Sequence, residues 1–137
     1  ENGLAAVPGR EDAARAAIAQ AIAYGAAIGA RHVHVMAGNA KGAAAHQTFV
    51  RNLRMACDMA HAEGLRIVIE PLNAFDAPGY FLRTTAQARA IIAEVGHPAL
   101  ALMFDIYHVQ RTEGDIMHRL HDLLPLIGES MLIRRLC

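Results

Sequence analysis

Three short apolar runs recur along this chain at nearly equal intervals, and that spacing limits the possible folds more than any other feature. The runs end near Met36, Glu70 and Asp105, a period of about 35 residues. Residues 31–36 alternate β-branched with polar side chains, whereas residues 65–69 and 100–104 are nearly continuous apolar runs. The stretches between them have helical spacing. Glu11-Asp12 suits a helix N-terminus and is followed by a stripe of Ala14, Ile18, Ala21, Ile22, Gly25 and Ile28, with Gly29 as a stop. Phe49, Val50, Leu53, Ala56, Cys57 and Ala60 mark a second helix ending at Gly64. Thr84 and Gln87 form a capping box for a third, which carries Ala88, Ile91, Ile92 and Val95 and stops at Gly96 and Pro98. Asp115 is expected to cap a last helix bearing Ile116, Leu120, Leu123 and Leu124, and Ile127 with Met131-Leu132-Ile133 would open a further strand.

Short apolar strands alternating with amphipathic helices imply a parallel sheet covered by helices. The period is close to the ~30 residues per unit of a (β/α)8 barrel of ~250 residues. The expected fold is therefore α/β, a partial (β/α)8 TIM barrel of about three to four βα units. It should occupy residues 1–137 as one partial domain, truncated at both ends. A doubly wound dinucleotide fold lacks its Gly-x-Gly-x-x-Gly after any strand, and the loop from Gly38 to Gly42 lacks the Gly-Lys-Ser/Thr ending of a P-loop.

Composition narrows the function classes. Thirteen Lys and Arg balance thirteen Asp and Glu, so neither a nucleic acid nor an acidic membrane surface is the expected partner. Hydrophobic residues make up 54% and charged residues 19%, far from a disordered composition. Two cysteines, Cys57 and Cys137, without a Cys-x-x-Cys pair, offer neither a disulfide framework nor a zinc site and fit a reduced cytosol. The Ala-rich stretch 13–30 is interrupted by Arg15, Gln20 and Tyr24, so neither a signal sequence nor a membrane span is expected.

In a parallel barrel, functional side chains project from the C-terminal ends of the strands. Two successive strands here end in carboxylates, Glu70 and Asp105, which the fold would bring to one rim. Carboxylates at the mouth of apolar strands are costly unless paired or bound to a cation, and two side by side invite a divalent metal. The alternatives are a nearby arginine, or capping of the following helix or turn. His108, three residues past Asp105, could hold a substrate oxygen, bind metal or bond to backbone. His34 reads as a satisfied structural histidine, His118 and His121 as a solvated helix face, and Lys41 as an exposed loop lysine.

The segments Glu70-Pro71-Leu72-Asn73, Pro78-Gly79-Tyr80-Phe81-Leu82, Phe104-Asp105-Ile106-Tyr107-His108-Val109-Gln110 and Glu113-Gly114-Asp115 together resemble the hydroxypyruvate isomerase family. The resemblance extends to His34-Val35-Met36-Ala37-Gly38 and Leu124-Pro125-Leu126-Ile127-Gly128. It implies a xylose-isomerase-like TIM barrel whose members interconvert hydroxypyruvate and tartronate semialdehyde, or related small hydroxy-oxo acids and sugars, through an enediolate. It further implies that Glu70 is a metal ligand and one of a pair of proton-handling glutamates, that Asp105 is a second ligand, and that His108 holds a substrate oxygen. Hard oxygen ligands favour Mg²⁺ or Mn²⁺ over Zn²⁺. After Gly128 the sequence departs from the family, with no counterpart there to the next metal ligand or the second glutamate. Competing readings are a non-catalytic remnant or assembly-dependent piece, and a sugar isomerase or epimerase of the same superfamily. A repair nuclease is disfavoured by the neutral charge. Oligomerisation is left open.

Overall fold

The computed structural model describes residues 2–128. Helix α1 (Glu11–Ala27) precedes β1 (His32–His34), α2 (Gly42–Ala62), β2 (Arg66–Ile69), α3 (Thr85–Val95), β3 (Leu100–Leu102), α4 (Ile106–Thr112) and α5 (Ile116–Leu123), with a 3₁₀ turn at Leu124–Leu126. The strands lie in the order β1-β2-β3, all parallel, with Val33 opposite Ile67 and Ile67 opposite Leu100. This is the expected arc of a (β/α) barrel, because a parallel neighbour can be reached only through a crossover, supplied here by α2 and α3.

Strand alternation sorts the sheet into two faces. Val33, Val35, Ile67, Ile69, Leu100, Leu102 and Phe104 point to the helices and are buried. They meet Phe49, Leu53 and Cys57 of α2 and Ala88 and Ile91 of α3, all fully buried, and Phe49 stands edge-on to Phe81 at 5.7 Å. Burial, with a smaller contribution from the neighbouring Asp58, pushes the Cys57 thiol up to about 12. The opposite face carries His32, His34, Arg66, Val68, Glu70, Ala101 and Met103, and only Val68 and Ala101 among these are buried. The sheet curves around this second face. A Cβ built on Gly128 would lie 3.0 Å from Ala101 Cβ and 3.6 Å from His32 Nε2, although His32 stands on the far strand.

The start of the chain crosses the end of β1. Ala6 N donates to Ala37 O at 2.6 Å, and Asn52 Nδ2 of α2 holds Ala5 O at 2.8 Å. Gly38 (φ 91°) is needed at this crossing, since a Cβ there would stand 2.5 Å from Gly3 O. Thr84 accepts from Gln87 N, the first half of its capping box, while Gln87 Oε1 accepts from Arg83 N at 3.0 Å, and Gly96 ends α3 in the left-handed conformation.

The structure departs from the sequence reading in four places. Ala21 and Ile28 are exposed, so the buried stripe of α1 is Ala14, Ile18, Ile22 and Gly25. Residues 106–112, read as loop, form α4, because Asp105 caps them. Asp115 makes no side-chain cap for α5, since its own backbone is left-handed (φ 49°, ψ 50°) rather than extended as capping geometry requires. Leu124 is exposed, leaving Leu123 as the buried residue of α5. Ile127 bridges Leu102 in parallel, as the start of a further strand would, whereas Met131-Leu132-Ile133 lie outside the described residues. Among the described residues, no helix is long and apolar enough to cross a membrane.

Candidate metal centre

Glu70 shares the open face with Val68, two residues earlier, and Pro71 follows it immediately. Asp105 stands at the N-cap of α4, where Oδ1 accepts from Tyr107 N at 2.8 Å and His108 N at 3.3 Å. That cap starts the helix and thereby sets His108 one turn on. Glu70, Asp105 and His108 each offer a ligand atom, all within 4.8 Å of one another, and each residue is half-buried. The capping alternative considered for Asp105 is thus realised, through Oδ1.

Two carboxylates this close in a partly desolvated rim repel one another, and a divalent cation reverses the sign of that interaction. The donor set suits a hard cation, with carboxylate oxygens from two adjacent strands. These residues therefore fit a divalent metal on the chemistry of their donors.

A second layer surrounds the trio, supplied mainly by the loop after β2. Asn73 is fully buried there. Its Oδ1 accepts from Phe75 N and Asp76 N, both at 3.0 Å, its Nδ2 reaches Asp76 Oδ2 at 3.0 Å, and its carbonyl accepts from Ala77 N. Its backbone N and Nδ2 also lie 3.2 and 2.8 Å from His108 Nδ1. Hydrogen bonds from Asn73 and then Tyr107 hold the Asp76 carboxyl below its ordinary value, and the same bond to Asp76 holds the Tyr107 phenol above its own. Arg111 lies over the Phe75 ring at 4.6 Å. Nothing in the sequence beyond turn chemistry at Asn73 and Asp76 marks this network.

Beneath the rim, Tyr80 is buried and its hydroxyl accepts from Ala37 N at 2.9 Å. Burial, reinforced by the Glu70 charge, keeps the phenol protonated, with its pKa raised to about 12. His34 departs from its reading as a satisfied histidine, because Nε2 is buried without a hydrogen-bond partner. Alternation puts it on the open face, and Nδ1 lies 3.8 Å from Glu70 Oε2. Burial lowers this imidazole to about 4, so at neutral pH the ring is uncharged and the contact is not an ion pair. Lys41 is exposed in its loop, and His118 and His121 lie on the solvated face of α5, as expected.

Residues 2–133 match a family model described as xylose isomerase-like TIM barrel. Among curated proteins, the chain is 44% identical over 132 residues to a 2-oxo-tetronate isomerase of Cupriavidus necator, covering 93% of this chain and 51% of that protein. It is 38% identical over 132 residues to the hydroxypyruvate isomerase of Escherichia coli, with the same coverage of both chains. Among solved structures, a protein from Brucella melitensis described as an AP endonuclease of family 2 superposes with a TM-score of 0.87 at 32% identity, over 91% of this chain and 50% of that one. The chain thus spans about half the length of the curated relatives it matches.

Proposed function

The chain belongs to the xylose isomerase-like TIM barrel family, and on that premise we propose that residues 1–137 supply part of the active rim of a metal-assisted isomerase. The proposed reaction interconverts hydroxypyruvate and 2-hydroxy-3-oxopropanoate. The observation that carries this reading is the convergence of Glu70, Asp105 and His108 within 4.8 Å at the C-terminal ends of adjacent parallel strands.

In this reading Glu70 and Asp105 hold a divalent metal, Mg²⁺ or Mn²⁺ before Zn²⁺ by the hardness of their oxygens. A bound cation of this kind polarises the substrate carbonyl and stabilises negative charge on the enediolate oxygens. Glu70, as one of a pair of glutamates, takes the proton from the carbon beside the carbonyl and helps return it to the neighbouring carbon. His108 holds a substrate oxygen. The uncharged His34 and protonated Tyr80 beneath the rim add no cation to compete with the metal for Glu70. The two cysteines, with no framework between them, support a reduced cytosolic setting.

A four-carbon oxo acid is the second substrate reading, favoured by the 44% identity to a protein named 2-oxo-tetronate isomerase. Substrate profiling of the full-length protein containing this chain separates the two. Mn²⁺-dependent turnover of hydroxypyruvate, falling about 10²–10⁴-fold in Glu70→Gln, is the expected result. Turnover indifferent to chelation, or to loss of the Glu70 carboxylate, overturns the proposal.

A further inference from the structure

His108 meets two hydrogens at the same ring nitrogen. The backbone N–H of Asn73 can only donate, so Nδ1, 3.2 Å away, must present a lone pair to it. The side-chain amide agrees. Its orientation is set independently, because Oδ1 is held by the N–H groups of Phe75 and Asp76, which also can only donate. That leaves Nδ2 to face Asp76 Oδ2 at 3.0 Å and His108 Nδ1 at 2.8 Å, one hydrogen for each. Asn73 is fully buried, and both of its amide hydrogens and its acceptor oxygen are engaged, so the amide cannot turn over without leaving four part-buried bonds unmade.

We propose that Asn73 is a positioning residue that locks His108 in its Nε2–H tautomer. This rests on the isomerase reading and deepens it. With Nδ1 occupied, the neutral ring has no lone pair to offer at Nε2 and presents a hydrogen there instead. A metal-ligating histidine shows the reverse arrangement, donating its second N–H to an oxygen acceptor. The cation therefore falls to the two carboxylates, and His108 donates a hydrogen bond to the substrate oxygen that gains negative charge. The acidic end of the network, Asp76, lies within electrostatic reach of the imidazole. Asp76 is exposed and draws on Asn73 and Tyr107, with the Arg111 cation beside it, while Glu70 and Asp105 are the charged groups facing the imidazole from the rim.

Long-range ¹H–¹⁵N correlation on the 137-residue chain reads the tautomer directly. The expected spectrum shows His108 Nδ1 unprotonated and Nε2 protonated, without averaging. A protonated Nδ1, or the averaged shifts of a free imidazole, overturns the proposal. The double substitution Asn73→Asp with Asp76→Asn preserves a hydrogen bond between residues 73 and 76 but turns a carboxylate oxygen toward Nδ1. It sets a carboxylate, which calls for a hydrogen on Nδ1, against the unchanged backbone N–H of residue 73, so the clean Nε2–H pattern should be lost; a correctly folded variant that keeps it shows that the backbone N–H alone fixes the ring and overturns the role of the Asn73 side chain. If that variant fails to fold, the wild-type spectrum decides alone. In the full-length protein, Asn73→Ala should lower kcat about 10–100-fold, the scale of lost outer-layer support, with Mn²⁺ affinity within about twofold. The expected tautomer in a protein without isomerase activity would sink the functional reading and leave the role of Asn73 intact.

Discussion

The two faces of the three-stranded sheet are built from the same strands and obey opposite rules. Ile67 and Ile69 of β2 are fully buried against helices, whereas Arg66 and Glu70, their immediate neighbours, face the concave side and retain contact with solvent. One face does the work of folding, since removal of apolar area from water stabilises it. The other is polar, curved and chemically armed, and it carries a cost the first face must offset. His34 shows that cost most plainly, as a half-buried imidazole whose buried Nε2 has no partner.

The largest test of this contrast compares the two ends of one strand. Ile69→Ala should lower stability by about 2–5 kcal/mol in urea titration, while Arg66→Ala, exposed on the concave face, should stay within about 0.5 kcal/mol. Equal losses would erase the division.

The next effect is pH-dependent. His34 has a folded-state value of about 4, against 6.5 when free, so between these values the unfolded chain binds more protons than the folded one. Stability is therefore fully present above pH 6.5 and is lost as pH falls toward 4, by up to about 3 kcal/mol. Urea midpoints at pH 7.5 and 4.5 measure this, and His34→Phe should flatten the difference. An unchanged slope in that variant would show that other groups carry the acid sensitivity.

The smallest effect separates two aspartates that look alike in sequence. Asp105→Ala should cost about 1 kcal/mol through the lost α4 cap, while Asp115→Ala, which removes no side-chain cap, should cost less than about 0.5 kcal/mol. Comparable losses at both positions would mean that the cap of α4 contributes little.

The helix-covered face was readable in advance because apolar period and burial follow one another: the stripe on α2 from Phe49 to Ala60 is buried throughout. The capping box at Thr84 was readable for the same local reason. The rim was readable only as far as strand parity and strand ends reach, which covers Glu70 and Asp105. α4 was not, since seven residues with one buried side chain, Val109, leave almost no periodic signal. The role of Asn73 is not legible in the sequence because it depends on His108, 35 positions later, and a residue that punctuates a turn looks the same whether or not its amide also holds a neighbour. The unpartnered state of His34 is not legible either, because hydrogen-bond satisfaction is a property of three-dimensional neighbours, not of residue type.

The buried cysteine on α2 has one more consequence. A thiol with its pKa near 12 is almost wholly in its unreactive form at neutral pH, so Cys57 reacts with an alkylating reagent only when α2 lifts from the sheet. With Cys137→Ser, Cys57 becomes the sole thiol of the chain, and its labelling rate becomes a clock for local opening of the helix-covered face. Read with and without Mn²⁺, that clock would report whether an ion at the rim steadies the packing behind it.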